Sequence, residues 1–379
     1  MGLAEYRQQL DAIDSQIVKL FEERMRVCEA VAEDKIKNKK RVLDRQREQE
    51  KLAAVGSMVG EGFDRQAVTE LFSQIMTISR RRQYQMMRDM GQMRRMPFIP
   101  VDSLEEAADE RGMQVVYQGA EGSYSEAAMH RYFGEDVSCF NVLTFREAMI
   151  AIEEGSADYA VLPIENSTAG AVNEIYDLLS KFENYIVGEQ VIPVRHCLMG
   201  VPGTTLSTIR RVYSHPQSLM QSERFLNHHS GWTKISMDNN AFAARKVADD
   251  RDVTQAAIAS SYAAKRYGLE IIEEGVNQSE SNSTRFIIVT NRKIYLKKAS
   301  KISLCLEISH ESGSLYHLLS HFIYNNLNMT RIESRPIEDR AWEYRFFIDF
   351  DGNLADSPVQ NALRGLRDEA AYMKILGNY

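Results

Sequence analysis

The chain has 379 residues, 44% apolar and 26% charged, an ordinary globular composition on a chain too long for one core, which predicts two or three domains. The formal net charge of −7 is uneven, because residues 1–95 hold 19 Lys and Arg against 15 Asp and Glu while the rest hold 27 against 38. No apolar run reaches membrane-spanning length, the start lacks the basic and apolar regions of a signal peptide, and neither a strong basic excess nor aromatic platforms are present, so a membrane protein, a secreted protein and a nucleic-acid binder are set aside in favour of a cytoplasmic one.

From Leu3 to about Met90 proline is absent, glycine occurs only at Gly56, Gly60 and Gly62, and good helix formers dominate, so this stretch reads as all-helical. In the first helix Leu10, Ile13, Ile17, Leu20, Val27 and Val31 recur at alternating spacings of three and four, and position 24 is the missing member of that seam. Position 24 is Arg. A guanidinium facing a core needs a counter-anion, either a protein carboxylate or an acidic ligand. Lys35 falls on the same face, about 20° away at ~3.6 residues per turn, whereas Arg7 points about 100° away and suits another site, such as a partner's. Asp44, Arg47 and Glu48 interrupt the second helix ahead of Leu52, Val55 and Val59. In the third, Ser79 and Gln83 follow Val68, Leu71, Phe72 and Ile75. Where these three interruptions meet, a polar pocket for a small anion forms inside a bundle. The run Arg80-Arg81-Arg82 reads as a solvated helix end. Cys28, Cys139, Cys197 and Cys305 are too widely spaced for a zinc pair or a redox CxxC motif.

Between residues 91 and 112, Pro97, Pro100 and the acidic Glu105, Glu106, Asp109 and Glu110 mark a linker. From Val115 to about Asn291 strand-like runs such as Tyr159–Asn166 alternate with helix-like ones such as Ser125–Phe133, which predicts an α/β domain with parallel strands. Three polar loops at strand ends, Gly119-Ala-Glu-Gly122-Ser-Tyr-Ser125, Pro163 to Gly170 and Ser214 to Ser218, predict a cleft. The first is not the dinucleotide pattern G-x-G-x-x-G, and suits either an anion at a helix N-terminus or a capping turn led by Ser123 or Ser125. A fourth segment ends in Ser283-Thr284-Arg285-Phe286 at the mouth of a strand. His196 and His215 read as structural, since a lone histidine is more often a satisfied core residue than a catalytic acid. Beyond the basic stretch 292–301, strand-like and helix-like runs follow in the order β-α-β-β-α-β, the ferredoxin-like topology.

At their spacings, Arg7, Arg24, Lys35, Asp44, Arg47, Glu48, Ser79 and Gln83 resemble the all-helical chorismate mutases at the head of bifunctional chorismate mutase and prephenate dehydratase proteins. The four polar segments from Gly119 to Phe286 resemble prephenate dehydratase, and Glu311–Leu315 with Glu333-Ser334-Arg335-Pro336 resembles an ACT regulatory domain. The first ACT motif departs from the family's usual glycine-alanine-leucine, having Gly313-Ser314-Leu315, with Ser312 where proline is frequent. The resemblance implies a multidomain fold. Residues 1–90 would be the all-α mutase, 91–112 a linker, 113–292 a dehydratase of two α/β lobes built like a type 2 periplasmic binding protein, and 299–379 a ferredoxin-like βαββαβ ACT domain. Lobe one would run from Val115 to about Glu189 and take back the chain from Gly275.

The implied chemistry uses neither metal nor organic cofactor. Chorismate is a dianion that rearranges to prephenate in one pericyclic step, so its site need only hold and polarise. Arg24 and the partner subunit's Arg7 would clamp the carboxylates, Lys35 and Gln83 would hydrogen-bond the ether oxygen, Asp44 and Glu48 would receive the hydroxyl, Ser79 would assist at a carboxylate and Arg47 would orient the site. Prephenate would then lose carbon dioxide and water to give phenylpyruvate, with Thr284 donating to the departing oxygen and Asn166, Ser167, Ser214, Gln217, Arg285 and Phe286 contacting substrate. Gly313, Ser314, Leu315, Glu333, Ser334, Arg335 and Pro336 would bind L-phenylalanine as a feedback inhibitor. A shared Arg7 implies a homodimer and leaves a tetramer open. Two rivals remain: a non-catalytic amino-acid sensor, because two-lobed and ACT domains also serve as sensors, and a dehydratase acting on arogenate.

Overall fold

The computed structural model describes residues 2–60, 62–90, 96–107, 112–279, 281–311, 313–338 and 340–379. Residues 91–95 and 108–111 of the expected linker, Glu280 and Ser312 lie outside them. The chain divides into two compact units, the first of residues 1–96, 307–329 and 354–373, the second of 97–306, 330–353 and 374–379. Among the described residues no helix is long and apolar enough to cross a membrane.

Three helices open the chain: α1 (Leu3–Lys37), α2 (Arg45–Gly56) and α3 (Phe63–Asp89). Glu5 fixes the start of α1 by accepting from the Gly2 N–H at 2.9 Å, and Lys35 and Lys37 occupy its last turn, where the helix dipole favours cations. Asp44 caps α2, its carboxylate accepting from the Arg47 N–H at 3.0 Å. Both α1 and α2 pack on α3. The apolar seam of α1, expected in the core, is not there: Leu10, Ile13, Ile17, Leu20, Val27 and Val31 are 42–65% exposed. At ~1.5 Å per residue α1 is about 52 Å long and outruns its neighbours, and Ser79 of α3 is met by Arg24, the polar member of the seam, and by Met25 beside it.

The second unit begins with β1 (Ile99–Val101) and then builds lobe one from β2 (Gln114–Gln118), α4 (Tyr124–Phe133), β3 (Ser138–Val142), α5 (Phe145–Glu153), β4 (Tyr159–Asn166), β5 (Gly170–Ala171), α6 (Asn173–Lys181) and β6 (Tyr185–Pro193). Lobe two holds β7 (Cys197–Gly200), β8 (Arg211–Ser214), α7 (Pro216–Gln221), α8 (Glu223–Asn227), β9 (Thr233–Ser236), α9 (Asn240–Asp250), β10 (Gln255–Ala259), α10 (Ser261–Tyr267) and β11 (Glu270–Glu274). The chain returns to lobe one as β12 (Ser283–Thr290), and β13 (Ile294–Leu296) pairs with β1.

The alternation predicts parallel strands, but the strands are not all parallel. Those joined by helical crossovers are: β2 with β3 and β4, and β8 with β9 and β10. β7 and β12 are instead reached by the two segments that cross between lobes. They enter against the grain, β12 antiparallel to β4 and β6, β7 antiparallel to β10 and β11. Gly122, at φ +83°, lets the lobes meet, since a Cβ there would lie 2.8 Å from the Ala263 backbone; Ser260 Oγ donates to its carbonyl at 2.7 Å.

The last elements are β14 (Lys301–Glu307), α11 (Ser314–Tyr324), β15 (Met329–Ile337), β16 (Arg340–Asp351), α12 (Ser357–Glu369) and β17 (Tyr372–Asn378), in the β-α-β-β-α-β order. Their strands lie as β15-β16-β14-β17, and β17 continues onto β6 to make one ten-stranded sheet with lobe one. Phe347, Leu376 and Tyr379 share a core with Ile175, Leu179 and Ile186. The region 299–379, expected as one domain, is thus shared: its strands belong to the second unit, its helices to the first, where α12 packs on α3.

Candidate functional site

In the first unit the interruptions of α1, α2 and α3 do converge. A cavity of about 250 Å3 is lined by Arg24, Lys35, Asp44, Arg47, Glu48, Ser79 and Gln83, joined by Cys28, Val42, Lys51, Met76 and Arg80. Arg24 Nη1 donates to Ser79 Oγ at 2.6 Å, and Ser79 Oγ in turn donates a hydrogen bond to the Ile75 carbonyl at 2.8 Å, so that the hydroxyl both accepts and donates. Lys35 Nζ donates to the Val42 carbonyl at 2.6 Å. Its pKa lies below the usual lysine value because burial disfavours the charge, an effect that Asp44 and Glu48 oppose. Gln83 is buried with its Oε1 unpartnered, a cost of about 1–3 kcal/mol unless a ligand or water meets that group.

Two residues differ from expectation. Arg47 turns largely outward and pairs at 3.5 Å with Glu50. Arg80, taken as part of a solvated helix end, is only 8% exposed and bonds Glu48 at 2.5 Å and Glu369 of α12 at 2.7 Å. Burial would lower its pKa, but Glu369 and Glu48 outweigh that and raise it. The signal was available: positions 72, 76, 79, 80 and 83 trace one face of α3, and only the triplet of arginines suggested solvent. Arg7 is exposed and outside this cavity, in keeping with its 100° offset.

The second unit holds the other polar centre, at the paired ends of β4 and β12. Asn166 and Thr284 are register partners, and Asn166 Nδ2 donates to Thr284 Oγ1 at 3.0 Å. The orientation of that amide is fixed by its other end, because Oδ1 accepts from the backbone N–H groups of Thr168 at 3.1 Å and Ala169 at 2.9 Å. Thr284 therefore accepts from Asn166, and its own proton is left to point elsewhere. Asn282, buried just ahead of β12, takes a second bond from Asn166 Nδ2 at 2.8 Å and gives one to Gln221 Oε1 at 3.1 Å. Gln221 reaches Thr168 Oγ1 at 3.1 Å and His196 Nε2 at 3.0 Å, while His196 Nδ1 lies 3.2 Å from Tyr124 Oη. One network therefore runs from Thr284 in lobe one across α7 of lobe two. His196 is 1% exposed with both ring nitrogens occupied, and burial lowers its pKa, so it acts as a neutral structural link.

The remaining dehydratase candidates separate. Ser167 stays close, its Oγ accepting from the Ser283 N–H at 2.9 Å. Gln217 stands at the start of α7, its N–H donating to the capping His215 at 3.3 Å. Ser214 is fully buried and donates to the Ile258 carbonyl at 2.6 Å, which makes it part of lobe two's core. Arg285 was expected at a substrate carboxylate. Strand alternation sends it to the face opposite Thr284, where it pairs with Glu165 and Glu189 at 3.2 Å and Asp349 at 3.3 Å. Phe286 is buried in the core with Tyr117, Met129 and Val161. The Gly119–Ser125 loop proves to be the capping turn, with Ser123 Oγ accepting from the Glu126 N–H. Asn282, Thr168 and Gln221 were missed; the first pair stand in the same polar segments as Thr284 and Asn166, whereas nothing in the sequence pointed to Gln221.

Of the effector candidates, Gly313 begins α11 at φ +84°, and Ser314 and Leu315 form its first turn, Ser314 Oγ donating to the Glu311 carbonyl at 2.9 Å. In β15 Glu333 and Arg335 share the half-buried face, Arg335 pairing with Asp177 at 2.7 Å and Glu333 with Arg331 at 3.3 Å, while Ser334 and Pro336 are exposed. Among the described residues no group of His, Cys, Asp or Glu is placed to hold a metal ion.

Comparison with known proteins finds two families along the chain. Residues 6–84 match the family of chorismate mutase type II and residues 115–294 that of prephenate dehydratase. Over 386 aligned residues, all of this chain and 96% of the relative, it is 32% identical to the bifunctional chorismate mutase/prephenate dehydratase of Escherichia coli (strain K12). Arogenate dehydratase 3, chloroplastic, of Arabidopsis thaliana is 37% identical over 286 residues, 70% of this chain and 67% of the relative. A prephenate dehydratase from Arthrobacter aurescens, solved in complex with L-Phe, is 28% identical with a TM-score of 0.66, over 70% of this chain and 89% of that one. The chain belongs to the bifunctional chorismate mutase/prephenate dehydratase family, an isomerase and a lyase of phenylalanine biosynthesis on one polypeptide.

Proposed function

We propose that the two activities are carried by the two polar centres, one in each unit, and the observation that carries this assignment is that three separate helices deliver Arg24, Lys35, Ser79 and Gln83 to one cavity. Arg24 and the partner subunit's Arg7 clamp the two carboxylates of chorismate, with Ser79 holding the Arg24 fork in place at 2.6 Å. Lys35 and Gln83 flank the ether oxygen, where negative charge grows as the C–O bond breaks, so their bonds strengthen in the transition state. Asp44 and Glu48 receive the ring hydroxyl, and Arg47 keeps an orienting role at the rim. Conformational restriction supplies much of the remaining acceleration.

In the second unit Thr284 donates its free proton to the leaving hydroxyl of prephenate while the ring carboxylate departs as carbon dioxide and the ring becomes aromatic. A threonine hydroxyl is too weak an acid for full proton transfer, so it acts as a polarising donor, and the bond it accepts from Asn166 strengthens that donation. Ser167 and Gln217 line the approach from the two lobes. Ser214, Arg285 and Phe286 are left out, being engaged within the fold.

The C-terminal β-α-β-β-α-β region is an ACT domain in this reading, with L-phenylalanine as effector and the Gly313-Ser314-Leu315 turn and Glu333–Pro336 as its recognition elements; the Arthrobacter relative with L-Phe bound supports it. The protein is a cytoplasmic homodimer, because the uncovered stripe from Leu10 to Val31 suits a second copy that also delivers Arg7. Prephenate is preferred over arogenate because the same chain produces it. The experiment is an ultraviolet assay on purified protein: loss of chorismate followed by phenylpyruvate, slowed by phenylalanine, is expected. Tight phenylalanine binding without either conversion contradicts the assignment, as does a higher kcat/KM for arogenate the substrate choice.

A further inference from the structure

The two carboxylates that grip Arg80 come from different elements. Its Nη1 meets Glu48 of α2 at 2.5 Å, and its Nη2 meets Thr77 Oγ1 at 2.9 Å and Glu369, in the last turn of α12, at 2.7 Å. With 8% of its surface exposed, Arg80 is little screened by water, and its planar fork ties the two carboxylates into one geometry. The chain of contacts continues on the far side. His321 of α11 lies 3.0 Å from the second oxygen of Glu369, and Gly365 leaves the space its ring fills, since a Cβ there would come within 2.3 Å of the imidazole. Glycine weakens a helix interior, so its presence in the middle of α12 fits a need for that packing.

The same turn of α12 is held at two further points. Arg45, next to the capping Asp44, donates to the carbonyls of Asp368 and Glu369 at 2.9 and 3.0 Å, where the helix dipole favours a cation. Tyr84, one residue beyond Gln83, donates to the Asp368 carboxylate. Arg45, Arg80 and Tyr84 thus fasten α12 from within or beside the cavity wall. A second cavity, of about 300 Å3, shares Glu48 and Arg80 with the first and is closed on its other side by Ser314, His317 and Glu369.

We infer that Arg80 is a positioning residue of the mutase, holding the Glu48 carboxylate toward the substrate hydroxyl, and that Glu369 holds Arg80, so that the C-terminal helices set part of the geometry of the N-terminal reaction. This rests on the proposed contact between Glu48 and chorismate. An arginine bonded to Glu48 alone is free to leave with a change of rotamer; bonded also to Glu369 it is fixed, and any shift of α12 is passed to Glu48.

The test uses the full chain. Glu48→Gln is expected to lower mutase kcat/KM by about a hundredfold. An unchanged value removes the contact with substrate, and the inference with it, while leaving the Arg24 and Lys35 assignments standing. Glu369→Gln, which keeps the side chain's shape, is expected to lower mutase kcat by about tenfold with KM changed less than about twofold, and to leave prephenate turnover as it was. Added to Glu48→Gln it is expected to have no further effect, since its influence passes through that carboxylate. Arg80→Lys is expected to retain more activity than Arg80→Met. Wild-type mutase kcat in Glu369→Gln, losses that multiply in the double variant, or equal falls in both activities would each overturn the proposal.

Discussion

Asn166 Nδ2 lies 3.0 Å from Thr284 Oγ1 across directly paired residues of β4 and β12. Because two backbone donors fix the other end of that amide, the direction of the bond is determined, and the Thr284 proton is left to point elsewhere, as the proposed role requires. Asn166→Asp retains the acceptor and replaces the donor by an oxygen. It is expected to lower dehydratase kcat by about 10²–10³-fold, the range for losing one aligned donor at a developing charge, with mutase activity unchanged. Dehydratase activity within twofold of wild type would show that Thr284 does not depend on this bond.

In the proposed mutase mechanism Lys35 must carry its proton to donate to the breaking ether bond. Its pKa is lowered by burial, against the opposing carboxylates of Asp44 and Glu48. The charged form is therefore present at low pH and lost as pH rises through this lowered value, so mutase kcat/KM is expected to fall on the alkaline side below the ordinary lysine value of 10.5. In Lys35→Arg the residual activity should persist to higher pH, because guanidinium keeps its proton. A limb at the same pH in the variant assigns it to another group.

Arg7 and Arg24 offer a test of the shared site. Arg7→Ala and Arg24→Ala homodimers should both lack mutase activity, but in a dimer mixed from the two, one site combines an intact Arg24 with the partner subunit's intact Arg7. After equilibration at equal amounts, mutase activity should recover to about a quarter of wild type, because half the dimers are mixed and each has one complete site. No recovery would place Arg7 outside the site. The same interface predicts that Ile17→Asp or Leu20→Asp, within a stripe where each side chain is worth ~1.5–3 kcal/mol on burial, yields a smaller sedimenting species.

Gly377 marks where β17 meets β6. An added Cβ would lie 2.0 Å from the Ile186 carbonyl oxygen, and a backbone atom within a sheet cannot swing aside. Gly377→Ala is expected to cost at least about 1–3 kcal/mol, visible as a lower denaturation midpoint, with dehydratase more affected than mutase. An unchanged midpoint would show that the two strands are not joined this closely in solution.

Periodicity made the helical cavity legible: Arg24 standing where the apolar repeat calls for an apolar residue, and Lys35 a near-whole number of turns later, placed both in the same wall. It misjudged what the apolar repeat itself was for, since a seam that is exposed in the single chain gives the same pattern as one in a core. Arg80 escaped because a triplet of arginines looks solvated, whereas its burial depends on Glu369, 289 residues away. Thr284 and Asn166 were marked by their loops, but Arg285 and Phe286 were carried along as neighbours of Thr284. On a strand successive side chains face opposite ways, which sends Arg285 to the ion cluster. Phe286 returns to the face of Thr284, but two residues further along β12 that face is covered by Tyr117, Met129 and Val161, so it is lost to the core. Strand direction was the least legible feature, because β7 and β12 owe theirs to the crossings between lobes.

The most direct test of two separate centres is one pair of substitutions assayed for both reactions on the full chain. Arg24→Ala is expected to abolish conversion of chorismate while prephenate is still turned into phenylpyruvate at the wild-type rate, and Thr284→Ala to do the reverse. Loss of both activities in either variant, with the fold intact by circular dichroism and an unchanged melting temperature, would contradict the account.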